Sequence, residues 1–273
     1  MNVNEAINYA KSKNLDTIEA LLILELILKT RKEFIFTNIK KSLTKREKKF
    51  LFYQIDRIEK GTPIHYILQK KEFMGIEFSL NRHVLIPRFD TECLVEEALI
   101  QIQQNDFKKI LDLCCGSGCI GLSIAYLTKK TVILSDISIK ALQIASKNTK
   151  KLKLEKFVEI IHSNLLKCVK VKLDIIITNP PYLNKEELEI KNKINKEPTK
   201  ALLGFGKDGL NISRKILSQA KDKLNPNGLI IIESAPWQMN SLKDFAIKKG
   251  FIHLKTIYDL EKRARALVLG KRA

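Results

Sequence analysis

From residue 108 onward, short apolar runs of strand length alternate with longer segments of helical periodicity, and that alternation leaves few folds open. KKILDL, TVILSD, FVEIIHSN, LDIIITN and GLIIIES read as strands, dense in β-branched residues. CIGLSIAYLT, SIKALQIASKNTKKL, LNISRKILSQAKDKL and MNSLKDFAIKKG read as the intervening helices, the last with Gly250 just past its end. FIHLKTIYDL and ARALVLG read as a closing pair of strands. Strands separated by helices return in parallel, so the expected class is α/β: a doubly wound, mainly parallel, Rossmann-like sheet with helices on both faces. Ligands of such sheets sit beyond the carboxyl ends of the strands, and chemistry is expected at the strand-to-loop junctions.

The segment before this alternation has a different pattern. Residues 1–62 hold a strongly apolar stretch at Leu21–Leu28, and Phe50, Leu51, Tyr53, Gln54 and Ile58 at helical spacing. Thr44 followed by Glu47 predicts a capping box. Gly and Pro are absent up to residue 60. A small N-terminal helical bundle is expected, closed by Gly61-Thr62-Pro63. Residues 63–90 carry short runs (Tyr66–Leu68, Phe73–Phe78, Val84–Ile86) broken by Gly75 and Asn81, which predicts a β-hairpin linker. A helix is expected near Thr91, opening a catalytic domain over 91–273. The charged stretch 183–200 predicts a long mobile loop beside the site.

Composition excludes several classes. The chain has 273 residues, 45% hydrophobic and 29% charged, which suits a soluble folded protein. No apolar run approaches the roughly 20 residues of a membrane span, and the N-terminus lacks an apolar signal core, so a cytoplasmic protein off the membrane is expected. Five cysteines, an odd number, argue against a disulfide framework. CCGSGC has no zinc-type spacing and no nearby His, so no metal is expected. The net charge of +19 invites an acidic partner such as nucleic acid, but it divides into +6 over residues 1–75 and +13 over the rest, following length rather than forming a tail. The four His residues are scattered and receive no catalytic role.

Two junctions carry chemistry. At the first, Ile110–Leu113 runs into Cys114-Cys115-Gly116-Ser117-Gly118, a strand, a small-residue turn and a helix start where backbone can approach a ligand closely. About twenty residues on, the second strand ends at Asp136, placed to accept both hydroxyls of a ribose. Gly116 to Gly121 reads literally as G-x-G-x-x-G, which leaves a dinucleotide open. Asp112 just before the loop suits an amine-bearing, cationic ligand better than a pyrophosphate, and S-adenosylmethionine has an amine, a sulfonium, a ribose and no phosphate. The stretch resembles the class I methyltransferase pattern D/E-x-G-x-G-x-G, with Cys114 in place of the first glycine.

At the second junction, Asn179-Pro180-Pro181-Tyr182 follows the strand 174–178. The lone pair of an amide or exocyclic amine nitrogen is delocalised, so two acceptors binding its N–H hydrogens orient it toward a methyl donor. The Asn179 side-chain oxygen and the Pro180 carbonyl can serve, with Pro181 stiffening the turn and Tyr182 packing on the planar target. Such a site works by positioning. The motif resembles that of methyltransferases acting on planar nitrogen, both DNA enzymes and glutamine enzymes.

Further residues separate these two. Pro63, Tyr66, Ile67, Glu72, Phe73, Gly75, Leu85–Arg88, Thr91 and Glu92 resemble the segment P-x-x-Y-I, E-F-x-G, L-I-P-R-P-E-T-E of the release-factor glutamine methyltransferases, with Phe89-Asp90 for the usual Pro-Glu. Glu197-Pro198, Ala201-Leu202, Asp208–Leu210, Glu233, Gln238, Asp259-Leu260 and Arg265 resemble later blocks of that family. The resemblance covers roughly residues 60–270. It implies a class I methyltransferase fold, S-adenosyl-L-methionine as cofactor, and methylation of N5 of the glutamine in the Gly-Gly-Gln loop of peptide chain release factors. It further implies a helical domain that grips the release factor, a monomer, and no nucleic-acid substrate. Carried over by position, the cofactor residues are Asp112, Cys114, Cys115, Gly116, Ser117, Gly118, Asp136, Asn164, Leu165 and Asn179; Asn164 stands where the family has Asp. Asn179, Pro180 and Tyr182 are the expected catalytic residues, and with Pro181 they bind substrate. A DNA adenine-N6 methyltransferase and a non-catalytic RNA- or ribosome-associated protein on the same fold stay open as alternatives.

Overall fold

The computed structural model describes residues 1–194 and 196–271. Asn195, inside the predicted 183–200 loop, and Arg272 and Ala273, at the end of the predicted 91–273 domain, lie outside the described residues. The chain divides into two compact units, Met1–Lys70 with Lys191–Lys196, and Lys71–Ile190 with Glu197–Ala273.

The first unit is helical: α1 (Val3–Ser12), α2 (Thr17–Leu28), α3 (Lys32–Thr37), α4 (Lys45–Glu59) and α5 (Ile64–Leu68). Three of these begin with reciprocal capping boxes, Asn2 with Glu5, Asp16 with Glu19, and the predicted Thr44 with Glu47, each satisfying backbone donors that the first turn leaves free. Val3, Ala6, Ile23, Leu24, Ile35, Leu51 and Ile55 form its core. The run 66–68, expected as extended, lies in α5. Pro63 sets the first φ at −56° and Gln69 ends the turn in the left-handed region, so five residues suffice for a helix. Short apolar runs carry no period long enough to separate the two states.

After α5, β1 (Lys70–Phe73) and β2 (Ile76–Ser79) form a two-stranded sheet. Met74 (φ 52°) and Gly75 (φ 69°) make the tight turn that joins them. Val84–Ile86 is loop rather than extended strand; Val84 and Ile86 anchor it by burial. Then come α6 (Glu92–Gln104), β3 (Ile110–Leu113), α7 (Cys119–Thr128), β4 (Val132–Asp136), α8 (Ile139–Lys151), β5 (Val158–His162), β6 (Leu173–Thr178), α9 (Lys185–Ile194), α10 (Asn211–Lys223), β7 (Leu224–Glu233), α11 (Met239–Lys248), β8 (Phe251–Tyr258) and β9 (Ala264–Lys271). Helix α9 replaces most of the predicted loop. Its start is another reciprocal pair, Asn184 with Glu187, and Leu188 is buried.

The seven-stranded sheet has the order β5-β4-β3-β6-β7-β9-β8. The first five are parallel, and β9 is antiparallel to both β7 and β8. The doubly wound, mainly parallel class is therefore as expected. Alternate residues feed two cores. Ile110, Ile175, Ile177, Leu229 and Ile231 face one, with α6 and α7; Leu111, Ile176, Ile230 and Ile232 face the other, with α10 and α11. The chain leaves β3 toward β4 on one side and β6 on the other, which opens a crevice at the carboxyl ends of these three strands.

Helix α7 crosses the sheet at Gly121. A methyl group there would lie 2.4 Å from Leu134 Cδ2 and 2.8 Å from Asp112 Cβ. Gly121→Ala is expected to lower stability by about 1–3 kcal/mol, the usual cost of overpacking. Urea unfolding reads this, and an unchanged midpoint would show that the helix can lift off the strands freely.

Candidate active site

The loop after β3 is held by backbone contacts. Cys115 N–H donates to the Ser135 carbonyl at 3.0 Å, and Gly118 N–H to the Cys115 carbonyl at 2.7 Å. Cys114 (φ 61°), Gly116 (φ 56°) and Gly118 (φ 80°) all lie in the left-handed region. Only glycine enters that region without strain, so Cys114 carries about 1–2 kcal/mol that a glycine would not. Buried Asn148 of α8 secures the loop from outside, its Nδ2 donating to the Ser117 carbonyl at 2.9 Å. It also bonds both backbone groups of Ser79. Sequence reasoning missed Asn148, because a polar residue in a helix gives no sign of partners 31 and 69 positions away.

Asp136 ends β4 facing the loop. Its Oδ2 accepts Gly116 N–H at 2.9 Å and its Oδ1 accepts Ser138 N–H at 2.8 Å. Burial raises its pKa while those N–H groups hold it down. Asp112 lies beneath the loop and is fully buried. Its Oδ2 accepts Gly121 N–H at 2.8 Å, and its Oδ1 has no hydrogen-bond partner. Burial pushes its pKa up to about 8, with Asp136 adding repulsion. Burial also raises the thiols of Cys114, Cys115 and Cys119, so they pack as neutral groups. Among the described residues no cluster of His, Cys, Asp and Glu could hold a metal.

Beyond the strand ends lies a cavity of about 520 Å³, within the usual size of a small-molecule site. Cys114, Cys115, Gly116, Ser117 and Asp136 line it on one side and Asn179 and Pro181 on another, with Arg88, Thr91 and Ala201 among the rest. The structure thus brings the two predicted junctions to one space. Asp112, Gly118, Pro180 and Tyr182 are not on its wall, nor are Asn164, which is exposed, and Leu165. The cradle fits S-adenosylmethionine: the Asp136 carboxylate on the cavity wall would suit ribose hydroxyls, and the glycine loop allows close backbone approach.

The turn after β6 is braced from behind. Asn179 is half-buried, and its Nδ2 donates to the Thr91 hydroxyl at 3.3 Å. Tyr182 donates its hydroxyl to Glu233 Oε1 at 3.4 Å. Gln238 Nε2 donates to the carbonyls of Tyr182 (2.8 Å) and Asp208 (2.6 Å). Gly204 and Gly209 lie where a Cβ would fall 2.7 Å from the Pro181 carbonyl and 2.1 Å from the Tyr182 carbonyl. Arg88 pairs with buried Glu197, which also accepts Ile86 N–H at 3.2 Å. Burial and Glu233 raise the Tyr182 phenol, and burial raises Glu233 to about 7.

The raised Asp112 gives a pH signature. Its folded pKa lies above the ordinary 3.8, so its contribution to stability is whole below about pH 4 and is lost as pH rises toward 8. Over that window the slope for one such group is about 1.4 kcal/mol per pH unit. Thermal unfolding of Asp112→Asn is expected to fall less steeply between pH 5 and 8 than the wild type, and parallel slopes would contradict the burial of an uncharged carboxyl.

Comparison with known proteins agrees with this geometry. The family model of the methyltransferase small domain matches residues 91–207. A release factor glutamine methyltransferase of Borreliella burgdorferi is 87% identical over 272 residues, covering 100% of this chain and 95% of that protein. One from Clostridium acetobutylicum is 38% identical over 256 residues, covering 92% and 90%. Among solved structures, a T. thermophilus 16S rRNA methyltransferase in complex with AdoMet and guanosine shares the fold, with a TM-score of 0.54 and 19% identity over 74% of this chain and 50% of that one.

Proposed function

The chain belongs to the release factor glutamine methyltransferase family, and we propose that its Asn179–Tyr182 turn seats the glutamine side chain that is methylated, the one in the Gly-Gly-Gln loop of peptide chain release factors. It is an S-adenosyl-L-methionine-dependent methyltransferase. The observation that carries the assignment of residues is that Asn179 and Pro181 share one cavity with the glycine loop and Asp136.

When bound, the cofactor supplies a methyl group made electrophilic by the sulfonium. The residues of this chain do the rest by placement. Asp136 and the loop Cys114–Gly118 hold the donor, with Asp112 supporting the loop. Asn179 Oδ1 and the Pro180 carbonyl accept the two N–H hydrogens of the glutamine amide, turning its lone pair toward the methyl carbon. Tyr182 and Pro181 confine the amide plane. The bound donor would supply the methyl group to the glutamine nitrogen, which would release one proton to water as its N–C bond forms and the donor's C–S bond is lost. The products are N5-methylglutamine and S-adenosylhomocysteine. No charged base is needed at the start, because alignment and exclusion of water carry the acceleration.

The helical residues 1–62 are assigned to gripping the release factor. Phe36 and Tyr53, 55% and 58% exposed, support this, since aromatic side chains left on a surface suit a protein partner.

Transfer from labelled S-adenosylmethionine to a recombinant release factor tests the whole reading. Labelling is expected to vanish when the Gly-Gly-Gln glutamine is replaced, and label that persists would overturn the assignment. Two variants test the roles. Asn179→Ala is expected to lower kcat by roughly 100-fold or more, the scale of a lost positioned hydrogen bond in a transition state, with cofactor affinity nearly intact. Asp136→Ala is expected to weaken cofactor binding by about 10-fold or more, as loss of charged hydrogen bonds does. Calorimetry and steady-state rates separate the two, and exchanged phenotypes would reverse the roles.

A further inference from the structure

We propose that Arg88 receives the α-carboxylate of the cofactor's amino-acid arm. The inference rests on the two ends of the donor assigned above, ribose at Asp136 and methyl at Asn179, and adds the partner of the donor's one anionic group.

S-adenosylmethionine carries a sulfonium, an ammonium and a carboxylate. A carboxylate taken out of water into a cavity needs a cation or donors facing it, because an unpaired charge there is costly. The residues given a role so far do not supply one. Asp136 is itself acidic. The N–H groups of Cys115, Gly116 and Gly118 are already bonded, to Ser135, Asp136 and Cys115.

Four basic side chains line the cavity: His83, Arg88, Lys140 and Lys200. Burial, with Lys140 and Arg82 adding to it, lowers the pKa of His83 and favours its neutral form. Lys140 belongs to the ribose end, in the first turn of α8, close after Asp136. Lys200 is exposed, and among the described residues no ion pair fixes its ammonium. Arg88 differs on both counts. Its guanidinium is held by Glu197, whose side chain is 1% exposed against 35% for Arg88. Glu197 also accepts Ile86 N–H, so one buried carboxylate fixes both the backbone and the head group of this segment. A guanidinium has five N–H donors in a planar fork. Among the described residues the only hydrogen bond of the Arg88 side chain runs from Nη2 to Glu197, which leaves donors for a second carboxylate.

Arg88 also stands at the end of the cavity where an anion needs it. Asp136 and Asn179 follow β4 and β6, which flank β3, so ordinary strand spacing sets those ends about 10 Å apart. The amino-acid arm leaves the same sulfur as the methyl, so its carboxylate requires a partner toward Asn179 rather than Asp136. Thr91 N–H donates to the Arg88 carbonyl at 3.0 Å, and the Thr91 hydroxyl accepts from Asn179 Nδ2 at 3.3 Å. One tight turn therefore carries the cation and braces the reacting asparagine.

Calorimetry with two ligands tests the assignment, with no release factor present. The ligands are S-adenosylmethionine and its decarboxylated form, which keeps the adenosine, sulfonium and amine. The wild type is expected to favour the carboxylate-bearing ligand by roughly 10- to 100-fold, the scale of a hydrogen bond between charged groups. In Arg88→Met that ratio is expected to fall to about 1, with affinity for the decarboxylated ligand little changed, whereas Lys140→Met and Lys200→Met keep the wild-type ratio. A wild type that does not discriminate, an Arg88→Met chain that still does, or a ratio lost in either lysine variant would overturn the proposal. If Arg88→Met does not fold, Arg88→Lys replaces it. An ammonium lacks the planar fork that serves Glu197 and a ligand together, so its ratio is expected to drop several-fold, and an unchanged ratio there overturns the proposal. Asp136→Ala separates this inference from the reading it rests on. It is expected to weaken both ligands alike and preserve their ratio. Undiminished affinity for both would sink the ribose assignment, and a ratio that collapses there would sink Arg88.

Discussion

The contact of α7 with β3 and β4 at Gly121 sets the frame for the site. It brings a helix backbone within bonding distance of a strand side chain, so Gly121 N–H meets Asp112 Oδ2 at 2.8 Å. The start of α7 is thereby held over the carboxyl end of β3, and the intervening residues 114–118 must close a short span. They do so by entering the left-handed region at Cys114, Gly116 and Gly118. The loop then faces Asp136 at the end of the neighbouring strand, in register with β3 through β4. Pack α7 further from the sheet and the loop, the Asp136 carboxylate and the cavity wall separate together.

The second half of the site depends on parts distant in sequence. The turn after β6 is braced by Thr91 before α6, by Glu233 and Gln238 around the end of β7, and by the backbone of Gly204 and Gly209. Each of these sits at or beyond the carboxyl end of the sheet, where a parallel arrangement first lets polar groups emerge from a buried surface. The turn after β6 is thus held by several independent elements that converge on it, and none of them alone announces itself in the sequence.

That division explains what was legible in the sequence. The alternation from residue 108 announced the sheet, because a strand buried on both faces writes a dense apolar run, as Ile175–Ile177 does. Asp136 and Asn179-Pro180-Pro181-Tyr182 were legible because glycine, proline and an acidic strand end have narrow physical uses. Helix α5 was not, since five residues complete barely one turn of any pattern. Helix α9 was hidden by its charge, although Asn184 and Glu187 spell a capping pair. Asp112 was marked as part of the cofactor site, but its place beneath the loop depends on how closely α7 packs, which no local pattern records. Asn164 and Leu165 were placed by analogy of position, and they are not among the residues that line the cavity. Thr91, Glu233 and Gln238 stood out only as points of resemblance, because their partners lie across the fold.

The loop after β3 is fastened almost wholly through main-chain atoms: Cys115 N–H on a strand carbonyl, Gly116 N–H on Asp136, and the Ser117 carbonyl on Asn148. None of those fastenings consults the side chains at 114, 115 or 117. The cradle can therefore be inherited as a shape while its letters drift, bounded at 114 by a modest conformational strain and at 116 and 118 by the backbone itself. A chain of this kind can lose part of its written signature long before it loses the grip that the signature stood for.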